Sequence, residues 1–188
     1  MTETDAELVS AALKDPQAIG AIIARYEEKL RRYIYRLGVR DRDEQADVLQ
    51  DIFIKMYRNL NSYDTNLPFS SWIYRIAHNE AISWYRKRAV RPEGNLISEG
   101  DDILSLLPTA LEASDLRFDK AVEAEAVAAA LATLEERYRE VLILRFFEHK
   151  EYDEISDILE IPIGSVGTLI HRGKKQLYNE LNRKFLRI

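Results

Sequence analysis

The sequence predicts an all-α fold: two small helical domains joined by an acidic linker, the second containing a helix-turn-helix. Three observations carry that prediction. Apolar residues recur at spacings of three and four along most of the chain, as helices that bury one face require. Only seven Gly and five Pro occur in 188 residues, too few for a protein of strands and tight turns. Pro92, Gly94, Gly100 and Pro108 break the periodicity in one place, where Glu93, Glu99, Asp101, Asp102 and Glu112 also gather negative charge. That composition marks residues 92–114 as a linker between a domain at 1–91 and a domain at 115–188.

The first long helix opens at Asp15, a suitable cap, and Pro16, whose fixed φ fits a first turn. Ile19, Ile22, Ile23, Tyr26, Leu30, Tyr33, Ile34 and Leu37 then share one face until Gly38 ends the run. A second helix begins near Asp43 and is expected to bury Ala46, Leu49, Ile52, Phe53, Met56 and Leu60. Its other face presents Asp47, Gln50, Asp51, Ile54 and Arg58, a mixture of charge, amide and one apolar residue that suits a docking surface as well as a solvated one. The loop Asn61–Pro68 follows, then a third helix capped by Ser70 or Ser71.

Within the linker, Ile103, Leu104, Leu106 and Leu107 are too apolar for a solvated tether, so this part is expected to dock on a partner or on the flanking domains. Periodicity resumes with Ala121, Val122, Ala128, Leu131 and Leu134. Thr133 and Glu136 form a T-x-x-E capping box for a helix through Phe147, with Val141, Leu142 and Phe146 inward. From Glu151 the chain reads as a short helix, a tight turn and a second helix, the pattern whose second member enters the DNA major groove. Val166, Ile170, Leu177 and Leu181 turn one face of that last helix inward, and Ser165, Thr168, His171, Arg172 and Lys175 occupy the other.

Charge is segregated along the chain. The net charge is −5, yet residues 22–91 hold fourteen Lys or Arg against nine Asp or Glu, and residues 163–188 hold six against the single Glu180. Cationic surface therefore sits on the first domain and on the last helix. Residues 69–91 add aromatic rings to it, with both Trp and five Arg or Lys in 23 positions. Rings stack on unpaired bases and cations neutralise phosphates, so the segment points to opened nucleic acid; a buried amphipathic helix with a solvated basic end is the bland alternative.

Several classes are disfavoured. The absence of Cys removes disulfides and thiolate zinc sites and fits a reducing cytosol. The N-terminus is acidic where a secretory signal is basic, and no apolar run reaches spanning length, so a cytoplasmic location is expected. His78, His149 and His171 lie far apart, with no H-E-x-x-H and no Gly-rich phosphate loop. No catalytic residue, metal or cofactor is expected, and the chain does not read as an enzyme.

Taken in order, Asp47–Arg58, Phe69–Arg88, Tyr138–Phe146 and Tyr152–Leu177 resemble the second and fourth conserved regions of extracytoplasmic-function sigma factors. These are the compact bacterial sigma factors that direct RNA polymerase to promoters, and the similarity runs from about Ala18 to Phe185. The resemblance implies that Asp47, Gln50, Asp51, Ile54 and Arg58 bind core RNA polymerase. It implies −10 recognition and melting by Tyr63, Asn66 and Phe69 of the loop Ser62–Phe69 and by Arg75, His78, Asn79, Arg86, Lys87 and Arg88. It implies −35 recognition by Ser165, Thr168, His171, Arg172, Lys174 and Lys175, with an anti-sigma factor as a further partner. Asp101 and Asp102 would imitate an RNA backbone in the polymerase product channel. A helix-turn-helix regulator acting without polymerase shares the C-terminal motif but requires neither the Asp47–Arg58 face nor the aromatic-basic helix.

Four positions depart from the family pattern. Glu160 stands in the turn where Gly is common, so a different turn conformation is expected. Gly167 and Leu169 replace frequent basic residues of the recognition helix. Gly173 interrupts the same helix and is expected either to weaken it or to permit close packing.

Overall fold

The computed structural model describes residues 3–65, 67–90, 127 and 129–185. Seven helices are bounded there: α1 (Asp5–Lys14), α2 (Ile19–Leu37), α3 (Arg42–Asn59), α4 (Phe69–Val90), α5 (Glu136–Phe146), α6 (Tyr152–Leu159) and α7 (Ile163–Phe185). Among the described residues there is no strand, and the all-α expectation holds. The linker at 92–114, with Asp101, Asp102 and the apolar run from Ile103, lies outside the described residues, as do Ala121, Val122 and Ala128.

Helices α1 to α4 enclose Val9, Ile22, Leu30, Tyr33, Ile34, Ile52, Met56, Phe69 and Ile73. Helices α5 to α7 enclose Tyr138, Leu142, Leu144, Ile155, Ile158, Val166 and Ile170. The two groups are docked through α4 and α6, and α2 also touches α5. Their buried residues form one continuous cluster.

Helix α1 has no counterpart in the sequence-based expectation. Its start is nonetheless written in the chain, because Thr4 and Glu7 form a capping box in which each side chain meets the other's backbone N–H, satisfying two donors that a helix N-terminus leaves free. Asp15 caps as expected, accepting from Gln17 N–H, and Pro16–Ala18 make a 3-10 turn leading into α2. Gly38 closes α2 at φ 113°. A side chain there would also strike the Tyr85 hydroxyl, which donates to the Leu37 carbonyl at 2.9 Å.

Four local expectations are corrected. Ala46 is exposed, while Gln45 and Val48 are buried: Asp41 caps α3 by accepting from Asp43 and Glu44 N–H, and Gln45 turns inward to donate to the carbonyls of Val39 and Arg40. Ser70 and Ser71 are not caps, because α4 already begins at Phe69 and Pro68 O accepts from Ser71 and Trp72 N–H. Thr133 opens no capping box; its hydroxyl donates to Ala130 O, ending the preceding helical stretch, and Glu135 is the N-cap of α5. Phe146 is 49% exposed, since it lies past the enclosed turn Val141–Leu144, with the Lys174 ammonium 5.8 Å from its ring centre.

The turn between α6 and α7 keeps the left-handed conformation despite its residue, with Glu160 at φ 53° and ψ 42°. Ile161 N–H donates to Ser156 O at 3.1 Å, and the Ser156 hydroxyl donates back to Ile161 O at 2.6 Å. Backbone hydrogen bonding thus enforces a conformation that costs a non-Gly residue about 1–2 kcal/mol. Gly173 is buried, and a Cβ on it would lie 3.2 Å from Leu142 and 3.3 Å from Tyr138. Close packing of α7 on α5 is therefore its role. Glu160→Gly is expected to raise unfolding free energy by about 1 kcal/mol, and Gly173→Val to lower it by about 1–3 kcal/mol through overpacking, both measurable by chemical denaturation.

Candidate polymerase and nucleic-acid surfaces

Asp47, Gln50, Asp51, Ile54 and Arg58 are all exposed on α3, at the three- and four-residue steps that place them along one ridge. Beside that ridge runs an apolar groove lined by Ile19, Ile23, Gln50, Phe53, Ile54, Tyr57 and Arg58. Tyr57 is 50% exposed, and sequence reasoning missed it. Its position three residues after Ile54 was the available signal. Large apolar side chains held in water beside mixed charge are the composition of a protein-docking surface.

The residues expected at the −10 element fall into three groups. Tyr63 and Phe69 belong to an aromatic cluster with Trp72 and Tyr26: Tyr63 and Phe69 ring centres are 5.4 Å apart, Tyr63 and Trp72 5.1 Å, and Tyr26 and Phe69 5.6 Å. Phe69 is buried, so it supports the loop from within. Burial also pushes the Tyr63 phenol above its ordinary pKa, and its hydroxyl donates to the Leu67 carbonyl. The loop and α1 border a cleft of about 380 Å³ whose walls include Val9, Leu13, Thr65, Leu67 and Pro68. The contribution of α1 was missed along with the helix itself. Asn66 lies outside the described residues.

Asn79, Arg86, Lys87 and Arg88 form the second group and are exposed. The Arg88 guanidinium lies 5.2 Å over the Trp84 ring and also meets Glu44. Arg75 and His78 are the third group, and both are half-buried. Arg75 faces Asp157 and Glu160, each at 3.9 Å, and its Nε is buried without a hydrogen-bond partner. His78 Nδ1 is 3.3 Å from the Tyr33 hydroxyl, and its Nε2 is 3.8 Å from Glu140 Oε1.

On α7, Thr168, His171, Arg172, Lys174 and Lys175 are exposed and Ser165 is half-buried. Thr168, His171, Arg172 and Lys175 fall on one ridge by helical spacing, whereas Lys174 turns toward Phe146. A side chain at Gly167 would come within 3.4 Å of the Tyr152 ring, an ordinary contact that leaves room for substitution. Among the described residues, no group of three or more His, Asp or Glu could hold a metal ion, and no helix is long and apolar enough to cross a membrane.

Residues 22–91 match the family described as Sigma-70 region 2, and residues 124–177 match Sigma-70, region 4. Over 172 residues the chain is 33% identical to the ECF RNA polymerase sigma factor SigW of Bacillus subtilis, covering 89% of this chain and 90% of that one. The chain belongs to the extracytoplasmic-function sigma factors. Another such relative of this sigma factor is the RNA polymerase sigma-H factor of Pseudomonas aeruginosa, 32% identical over 183 residues, covering 93% of this chain and 92% of that one. Two solved structures share the fold at 22% identity. One is CnrH in complex with the cytosolic domain of CnrY, with a TM-score of 0.69 over 96% of this chain and 99% of that chain. The other is the sigma factor RpoE in complex with the anti-sigma factor NepR from Bartonella quintana, with a TM-score of 0.66 over 87% of this chain and 96% of that chain.

Burial shifts both members of the His78–Glu140 pair of this sigma factor. It pushes the His78 pKa down to about 4, and burial together with the Glu136 charge pushes Glu140 up to about 7. At 3.8 Å the pair is too long for a hydrogen bond, so it is a contact between neutral groups over the range between those values. The folded chain holds a proton on Glu140 that the unfolded chain releases, so its contribution to stability is present at low pH and is lost as pH rises through about 7. His78 acts in the opposite sense, its contribution being lost as pH falls through about 4. Glu140→Gln removes the first effect alone. Denaturation of both forms should show the variant gaining on the wild type as pH rises from about 5 to about 8.

Proposed function

We propose that this sigma factor binds core RNA polymerase through the α3 ridge, recognises and opens the −10 element with the loop Ser62–Phe69 and α4, and reads the −35 element with α7. It acts in the cytoplasm as a non-catalytic initiation subunit, under the control of an anti-sigma factor. The observation that carries this reading is the presence of region 2 and region 4 in one chain, each with an exposed surface of the required chemistry. Asp47, Gln50, Asp51, Ile54 and Arg58, with Tyr57 beside them, supply the polymerase contact. Tyr63, supported by Phe69 and Trp72, offers a ring edge to an extruded base, and Arg86, Lys87 and Arg88 neutralise phosphates. Arg75, His78 and Asn79 meet the opened strand on α4.

Recognition of the −35 element is assigned to the ridge of Thr168, His171 and Arg172, with Ser165 at the groove-entering end and Lys174 and Lys175 toward the phosphates. The base-edge contact falls to Arg172 because its planar guanidinium can donate two hydrogen bonds to one base edge.

The polymerase assignment is tested by Gln50→Ala together with Asp51→Arg. Both positions are exposed, so melting temperature should be nearly unchanged, while co-purification with core polymerase should be lost; retained affinity would reject the assignment.

For α7, Arg172→Ala is expected to cost about 1–3 kcal/mol on the native −35 element and to relax discrimination there. Promoters found by run-off transcription from a genomic library with core polymerase provide the duplex for that measurement. An equal loss on every sequence would reassign Arg172 to a phosphate.

A further inference from the structure

Arg25, Lys29, Arg32 and Arg36 follow one another along α2 at steps of four, three and four residues, which keeps them on one face with about one cation per helical turn. The ends of this stripe are taken: Arg25 donates to Asp5 Oδ1 at 2.8 Å, and Arg36 donates to Glu148 Oε1 at 2.6 Å. Lys29 and Arg32, between them, are exposed, and no carboxylate of the described residues pairs with either. Arg31, on the far side of the helix, is by contrast bound to Glu27 at 2.7 Å and to Glu28 at 3.4 Å. Two neighbouring cations without counter-charge repel each other and weaken a helix slightly, a cost that an anionic ligand reverses.

The surroundings of the stripe indicate which anion. Asp5, which holds Arg25, also lines the cleft between α1 and the loop Ser62–Phe69. The Lys29 ammonium lies 5.3 Å over the Tyr26 ring, and Tyr26 packs at 5.6 Å on Phe69, another wall of that cleft. Further along, Arg32 and Arg36 bring positive charge up to the Tyr74 phenol of α4. Ile19 and Ile23, which line the α3 groove, fall on the opposite flank of α2 by helical spacing, so the stripe faces away from the candidate polymerase contact. Aromatic rings beside a row of cations are the two components of a single-strand channel. We propose that Lys29 and Arg32 form a phosphate track for single-stranded DNA: a strand whose base enters the cleft beside Tyr63 carries its backbone along α2. This rests on the reading of the loop and α4 as the −10 surface, and it adds a helix that none of the residues assigned to that surface occupies. An unwound strand spaces its phosphates wider than the roughly 3.4 Å per nucleotide of a duplex strand, and the helical turn of about 5.4 Å sets the cations at a matching interval.

The test measures the salt dependence with which the full chain binds a labelled oligo-dT strand and a labelled mixed-sequence duplex, by fluorescence anisotropy. Each phosphate neutralised on a single strand contributes about 0.7 to the slope of log affinity against log salt, so Lys29→Gln with Arg32→Gln should flatten that slope by about 1.4 and leave the duplex slope unchanged. Both positions are exposed, so melting temperature should be nearly unchanged. Lys29→Arg with Arg32→Lys keeps both charges and should retain the slope, and Arg31→Gln, which removes a cation of the far side, should not move it. An unchanged single-strand slope, an equal flattening on the duplex, or an equal effect of Arg31→Gln would each overturn the proposal. So would an unchanged slope accompanied by loss of co-purification with core polymerase, which would make the stripe a protein contact. Arg86→Gln with Lys87→Gln tests the underlying reading separately. If only the α2 variant flattens the slope, the track stands and the −10 assignment of the α4 end fails; if only the α4 variant does, that assignment stands and the track fails.

Discussion

Helix α4 is the constraint on which the rest of the molecule depends. One of its faces buries Phe69, Ile73, Ala77 and Ala81 against the N-terminal core. Its end carries Arg86, Lys87 and Arg88, and a third strip holds α6. A helix with three occupied faces cannot be strongly amphipathic, and its apolar residues accordingly spread round the axis instead of forming one stripe. Aromatic rings serve this arrangement because each has a packing face and an edge: Tyr74 lies under the Lys150 ammonium at 4.4 Å while its hydroxyl reaches Glu148.

Much of the fold was legible because it depends on local rules. The apolar stripe of α2, its stop at Gly38 and the helix-turn-helix periodicity each depend on residues within a few turns of one another. Where local rules competed, the sequence misled. Thr133 satisfies the T-x-x-E pattern but is taken by a carbonyl upstream. Ser70 and Ser71 look like caps, and their hydroxyls instead reach a carboxylate more than 80 residues away. Glu160 adopts the conformation expected of Gly, because the Ser156 to Ile161 hydrogen bonds outweigh its intrinsic preference.

The candidate surfaces divide along the same line. The exposed ridges of α3 and α7 follow from helical spacing once the buried face is known, and both were readable residue by residue. The surroundings of Arg75 and His78 were not readable. Their partners come from α2, α5 and α6 and from the turn after α6, and no periodicity in α4 encodes which residues of another helix will lie across from it. The cleft beside Tyr63 was hidden for a similar reason, since half of it is built by α1, at the far end of the domain's sequence.

Lys150 follows from this geometry in a different way. Its side chain is 8% exposed and bonded to Glu154 at 3.0 Å, so this amine is shut off from solvent in the docked chain, while Lys55, Lys87 and Lys175 remain exposed. Acylation requires access to the amine, and one enclosed between a carboxylate and the face of an aromatic ring reacts slowly. The protein thus carries its own chemical record of whether its two halves are together: the reactivity of a single native lysine, readable without any label built into the chain.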